Sequence, residues 1–193
     1  MKLSRIINII DVEATCWNNE DDRKGQPNEI IEIGISEVDL YGLTIQRSNH
    51  FYIKPKESTI SEFCNKLTGI TEKTIEEQGM PLGAAVRQLK LSYRTHKRHW
   101  VSWGDYDKYQ FQRDFERNNL EYTKIFFKRH TNFKTVFAML HGLENEIGVQ
   151  AALEHVGLKF IGSPHSGKDD AYNISRLYIQ TLHKFRTGKH RII

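Results

Sequence analysis

The sequence predicts an α/β fold, a sheet flanked by helices, in a single domain covering residues 1–193. Three observations point to it. Residues 6–12 form a β-rich run that is apolar on both faces except at Asn8, the pattern of a strand covered on both sides. Two strand-like runs, 29–40 and 43–53, flank the turn Tyr41-Gly42 and make an antiparallel meander with the first. The rest of the chain shows mainly helical periodicity.

Taken in order, Asp11 and Glu13 are two apart, so they share a face at the carboxyl end of the first strand. Open α/β sheets bind ligands there. Residues 18–28 are polar, hold Gly25 and Pro27, and read as a loop; Pro55 closes the meander. Residues 61–67 and 71–78 read as short helices around Thr68-Gly69. Leu82, Ala85, Val86, Leu89 and Tyr93 repeat at helical spacing. Residues 100–103 form a short fourth strand that ends just before Asp105 and Asp107.

A helix follows from Asp107. Phe111 and Phe115 lie four and eight residues on, so Asp107 heads an inward stripe, whereas Asp105 precedes the helix. Residues 133–143 and 148–156 read as short helices, and 162–167 break the pattern. The last helix runs over 169–185. Asp170 shares its stripe with Ile174, Leu177 and Tyr178; Asp169 falls with Asn173, Arg176 and Gln180. Asp170 is therefore assigned to the interior, and Asp169 to water or the helix N-terminus.

Composition narrows the class. With 38% hydrophobic and 27% charged residues, and no run of about 18 apolar residues, no membrane span is expected. The first residues lack the length and cleavage pattern of a signal peptide. Two cysteines, Cys16 and Cys64, without metal spacing fit a reducing compartment, and a cytoplasmic location is expected. The net charge of +4 is concentrated at 94–99, 124–134 and 183–191. The second cluster interleaves Phe126, Phe127 and Phe133 with Lys128, Arg129 and Lys134, which suits a single-stranded nucleic acid. A solvated surface over core phenylalanines is the ordinary alternative.

Asp11, Glu13, Asp107 and Asp170 are hard oxygen ligands that suit Mg²⁺ or Mn²⁺. Gathering them is costly through repulsion and desolvation unless divalent cations compensate. Two ions roughly 4 Å apart serve phosphodiester hydrolysis. His165, in a Gly/Ser/Pro loop without cysteine partners, reads as a general base rather than a ligand. Singly, each residue has a plainer explanation, such as helix capping for Asp107. Their combined order carries the assignment.

The order Asp11-x-Glu13, Asp107, His165-x₄-Asp170 resembles the DEDDh 3′–5′ exonucleases, the DnaQ-like and RNase T-like group. Residues 11–16, 29–34, 61–71 and 164–171 are similar to the subgroup that contains the histone-mRNA 3′ exonuclease and the RNA-interference-suppressing exonucleases. The resemblance implies an RNase H-like, mixed five-stranded sheet flanked by helices. It implies release of nucleoside 5′-monophosphates from single-stranded 3′ ends, RNA favoured, with two Mg²⁺ or Mn²⁺ per site. It maps Asp11, Glu13, Asp107 and Asp170 onto metal ligands and His165 onto the base. It also assigns Ala14, Thr15 and the Leu67-Thr68-Gly69 corner to the terminal nucleotide. The separate N-terminal nucleic-acid-binding domain of larger members is not expected. A DNA 3′–5′ exonuclease and a regulatory protein on the same fold are the alternatives; a small-molecule phosphatase fits the basic and aromatic segments less well.

Overall fold

The computed structural model of the chain describes residues 4–126 and 129–188. Among them, strands β1 (Ile6–Ala14), β2 (Ile30–Asp39), β3 (Thr44–Tyr52), β4 (Trp100–Ser102) and β5 (His130–Asn132) form one sheet in the order β3-β2-β1-β4-β5. β1–β2 and β2–β3 are antiparallel; β1–β4 and β4–β5 are parallel. The sheet is thus mixed and five-stranded, as the resemblance implied. β5 had no signal of its own: three residues are too few for a period-2 pattern, and pairing with β4 creates the strand.

The helices are α1 (Glu20–Arg23), α2 (Glu62–Thr68), α3 (Glu72–Gln78), α4 (Leu82–Ser92), α5 (Tyr106–Arg117), α6 (Tyr122–Ile125), α7 (Phe133–His141), α8 (Val149–His155) and α9 (Gly167–Arg186). α1 is one turn inside the polar segment read as a loop, capped by the Asn19 side chain on Asp22 N–H.

Alternation along β1 explains both faces of the sheet. Ile10 and Val12 pack with Ile33, Ile35, Leu89, Trp100, Phe111 and Phe115. Ile7 and Ile9 pack with Val38, Val101, Phe137, Leu153, Ile174 and Leu177, from β2, β4 and α7–α9. Burying each such side chain stabilises the fold by about 1.5–3 kcal/mol. Asn8, the polar exception, is fully buried, and its Nδ2 donates to Tyr93 O at 3.0 Å. A third cluster of Ile31, Cys64, Ile70 and Ile75 seats α2 and α3.

Phe126 and Phe133 of the basic aromatic stretch are core residues, not stacking surfaces. Phe126 is fully buried, with its ring 4.7 Å from Phe111 and stacked 5.8 Å from Phe115. Phe133 is buried against Trp103 and Phe137. Lys134 pairs with Glu146 at 3.8 Å. Arg129 is exposed but precedes β5, whose first residue aligns through Trp100 with Asn8. It is therefore level with Ile7, four residues before Asp11, or about 13 Å along the strand direction. Phe127 and Lys128 lie outside the described residues. The stacking role expected of Phe126 and Phe133 is therefore corrected to core packing at the end of α6 and the start of α7.

Candidate active site

The same alternation that places Ile7 and Ile9 puts Asp11 and Glu13 on the α9 face of the sheet. Across from them, β2 presents Glu32, opposite Glu13, and Gly34, opposite Asp11. Gly34 explains how α9 comes so close. A Cβ there would stand 1.9 Å from the Gly167 carbonyl oxygen. Glycine lets the first turn of α9 lie directly on the strand. Asp170 then reaches the sheet from that turn, with Ile174 and Leu177 buried below it on the same stripe.

Ligand oxygens of Asp11, Glu13 and Asp170 lie within 4.8 Å of one another. Asp107, 4% exposed, enters from α5; its Oδ1 accepts the Val12 N–H at 2.9 Å, between the two β1 acids. A cavity of about 280 Å³ joins all four acids with His165, Trp103 and Tyr106. His165 is exposed and holds φ +63°, a left-handed conformation in which histidine is enriched. Its N–H donates to Asp170 Oδ2 at 2.8 Å, tying the loop to the acid.

Asp170 lies on the interior stripe as its periodicity indicated, while Asp105 and Asp169 keep outside the acid cluster. Asp105 accepts from Asn132 Nδ2 at 3.0 Å and stays outside the acid cluster. Asp169 accepts from Ser163 N–H at 2.9 Å, fixing the loop before α9. Asn173, on the same side, is fully buried and is bonded to both backbone groups of Ile161. That stripe therefore serves the loop rather than water.

Other assignments change. Thr15 is fully buried; its hydroxyl donates to Pro27 O at 3.3 Å and accepts from Glu29 N–H at 2.9 Å. Its N–H is bonded to Glu29 O and its carbonyl accepts from Asn28. Thr15 pins the strand end, with its hydroxyl and its N–H both bonded within the protein. Ala14 is buried beside Glu13, and its carbonyl accepts from Cys64 Sγ at 3.7 Å. Thr68 closes α2 through its hydroxyl on Cys64 O at 2.9 Å, while Leu67 is exposed on the same helix.

Two residues escaped the sequence reading. Glu32, 1% exposed, accepts the Gly167 N–H at 2.8 Å and lies 2.5 Å from His50 Nδ1. It bolts the N-terminus of α9 to β2. A lone acid in the apolar run 30–35 was the available signal. Tyr106, 52% exposed beside Asp107, lines the cavity; an aromatic next to a candidate ligand was its signal.

The electrostatics suit a cation. Burial, then the neighbouring acids, pushes Asp11 well above the usual carboxylate range. Burial likewise pushes Glu13 up to about 9, and Asp107 and Asp170 up to about 7. Among the described residues, none of these four acids has a Lys, Arg or His ion-pair partner. A buried, uncompensated carboxylate cluster is the donor set that divalent ions take.

A pH dependence follows. Carboxyl groups with raised values bind protons more tightly when folded, so their contribution to stability is full below about pH 4. It is lost as pH rises through about 7. Metal binding requires the ionised form. The gain in Tm on adding Mn²⁺ to EDTA-treated protein should therefore be larger at about pH 8 than at about pH 5. His99 and His130, which burial pushes down, titrate with and without metal and cancel from the difference. Equal gains at both pH values in thermal melts would contradict the assignment.

Comparison with known proteins agrees with this geometry. The Exonuclease family model (RNase_T) matches residues 9–178, from β1 to α9. The chain is 30% identical to the 3′-5′ exonuclease Snipper of Drosophila melanogaster, over 87% of this chain and 66% of that protein. It is 29% identical to 3′-5′ exoribonuclease 1 of Rattus norvegicus, over 90% of this chain and 52% of that protein. It is 27% identical to ERI1 exoribonuclease 2 of Mus musculus, over 88% of this chain and 27% of that protein. The chain thus spans between 27% and 66% of the length of these relatives. Among solved structures, the nuclease domain of 3′hExo, a DEDDh family member bound to rAMP, superposes with a TM-score of 0.80. That match is 25% identical and covers 93% of this chain and 92% of that one. On a family match that runs from the β1 acids to α9, the chain belongs to the exonuclease family.

Proposed function

We propose that this chain is a divalent-metal-dependent 3′–5′ exonuclease that hydrolyses single-stranded 3′ ends, RNA in preference to DNA, to nucleoside 5′-monophosphates. The observation that carries the reading is the convergence of Asp11, Glu13 and Asp170 within 4.8 Å, in one cavity with Asp107 and His165. The names of relatives, exoribonucleases among them, and the rAMP bound to the nuclease domain of 3′hExo support the choice of RNA.

In this reading Asp11, Glu13, Asp107 and Asp170 hold two Mg²⁺ or Mn²⁺. Bound there, such ions activate water and neutralise charge on the scissile phosphate. The chain supplies the rest. Asp107, with one oxygen held by Val12 N–H, keeps a fixed orientation. Asp170 is held through the Gly34–Gly167 contact and the Glu32 bond to Gly167 N–H. His165, in an exposed loop at the rim, takes the proton from the attacking water. Leu67, on α2, and Tyr106, on α5, are candidate contacts for the terminal nucleotide.

Incubation of 5′-labelled RNA and DNA oligomers with Mg²⁺ or Mn²⁺ tests the reading. A ladder shortening from the 3′ end is expected, faster on RNA, and abolished by EDTA or a blocked 3′ end. Hydrolysis that survives EDTA, or cleavage of a circular substrate, would falsify it. A faster DNA ladder would transfer the activity to DNA.

A further inference from the structure

We infer that a cavity beside the end of β1 holds the base of the nucleotide immediately 5′ of the terminal one, stacked on Trp17. The inference rests on the exonuclease reading above. The cavity measures about 600 Å³, within the range of about 300–1,000 Å³ for ligand pockets, and is walled by Trp17, Phe63, Lys24, Lys66, Asp22 and Glu62. It shares no wall residue with the catalytic cavity. The two cavities are distinct, so a base held here belongs to a nucleotide other than the reacting one.

Covalent continuity and two side-chain bonds keep the cavity close to the acids. Trp17 follows Glu13 by four residues. Ser61 Oγ donates to Cys16 O at 2.6 Å and Cys64 Sγ to Ala14 O at 3.7 Å. Helix α2, which carries Phe63, is thus fastened to the residues between Glu13 and Trp17. Trp17 thus stands four residues past Glu13, on the side of the site that α2 borders.

Trp17 is not placed there by packing. It is half-buried and belongs to none of the three apolar clusters. Arg23 lies over its ring at 6.0 Å from the centroid. Arg23 lines only a smaller cavity of about 270 Å³, whereas Trp17 lines both. The indole therefore has a cation on the side of the smaller cavity and also borders the larger one.

Charge selects the class of ligand. Lys24 and Lys66 against Asp22 and Glu62 leave the walls without net formal charge, and Glu62 already pairs with Lys66 at 2.6 Å. A free anion gains little there. A neutral ring gains stacking, which is insensitive to base identity. Gln26 adds a polar edge: Thr59 N–H donates to its Oε1 at 2.8 Å, which leaves its amide NH₂ as a donor on the wall.

Steady-state hydrolysis of 5′-labelled RNA carrying a single abasic position tests the inference in the wild type, Trp17→Ala and Trp17→Phe. An abasic position next to the terminal nucleotide should raise the wild-type KM by about 5- to 150-fold, the range for one stacked base. Trp17→Ala should raise KM on the intact strand by a similar factor and cease to respond to that position. Trp17→Phe should keep most of the response. Should Trp17→Ala misfold, quenching of wild-type tryptophan fluorescence by intact but not abasic strands, lost in Trp17→Phe, gives the same answer. An undiminished abasic response in Trp17→Ala, or a response confined to the terminal position, overturns the inference. Failure of the exonuclease reading looks different: no 3′ ladder from any intact oligomer.

Discussion

Asp170→Asn should reduce kcat by about 10³-fold or more, the several kcal/mol that a catalytic metal contributes, while Asp169→Asn leaves most activity. The two residues are adjacent on α9 and differ in what they face. Asp170 is 9% exposed, and its carboxylate lies within 4.8 Å of ligand oxygens on Asp11 and Glu13. Asparagine preserves its volume and keeps an acceptor for the His165 N–H, so the loop stays in place and only the charge is lost. Asp169 accepts a hydrogen bond from Ser163 N–H, which asparagine can also accept. Asp107→Asn and Asp105→Asn repeat the comparison on α5, where Asp107 is buried in the cavity and Asp105 is bonded to Asn132. Rates measured on variants with matched thermal melts decide it. Equal losses within either pair would mean that the ligand set is misassigned.

These contrasts were legible in the sequence because each depends on local periodicity. A strand of period two puts Asp11 and Glu13 on one face, and a helix of period 3.6 separates Asp170 from Asp169. The meander and the longer helices were readable for the same reason, with boundaries that moved by one or two residues. What was hidden depends on non-local contact. No pattern within the sequence pairs Gly34 with Gly167, or Glu32 with the start of α9, although both position the helix that carries Asp170. β5 exists through its partner strand.

The misreading of residues 124–134 has the same root. Basic residues alternating with phenylalanines fit a nucleic-acid groove and a surface strip over a core equally well. Burial of Phe126 and Phe133 decides for the core. The resemblance assigned Thr15 to the nucleotide, but a buried hydroxyl must be satisfied, and here Glu29 N–H and Pro27 O satisfy it. Tyr106, exposed beside the acids, and Phe63 and half-buried Trp17, on the neighbouring cavity, lie in segments where sequence periodicity carries no information on exposure.

His165→Ala should lower kcat by about 10²–10⁴-fold, the usual contribution of a positioned base, with a much smaller change in KM. A base acts in the transition state, so its loss falls on turnover rather than on binding. The four acids remain, and the backbone N–H of residue 165 still donates to Asp170 Oδ2, so metal affinity should persist. The left-handed backbone at this position, φ +63°, requires a control. Asparagine tolerates that conformation better than alanine, so His165→Asn should show the same kcat loss with less change in Tm. Added imidazole should restore part of the rate in His165→Ala by entering the space left at the rim. Recovery by high Mn²⁺ without any response to imidazole would make His165 a metal ligand and leave the base unassigned. A loss confined to KM would place it among the substrate contacts instead.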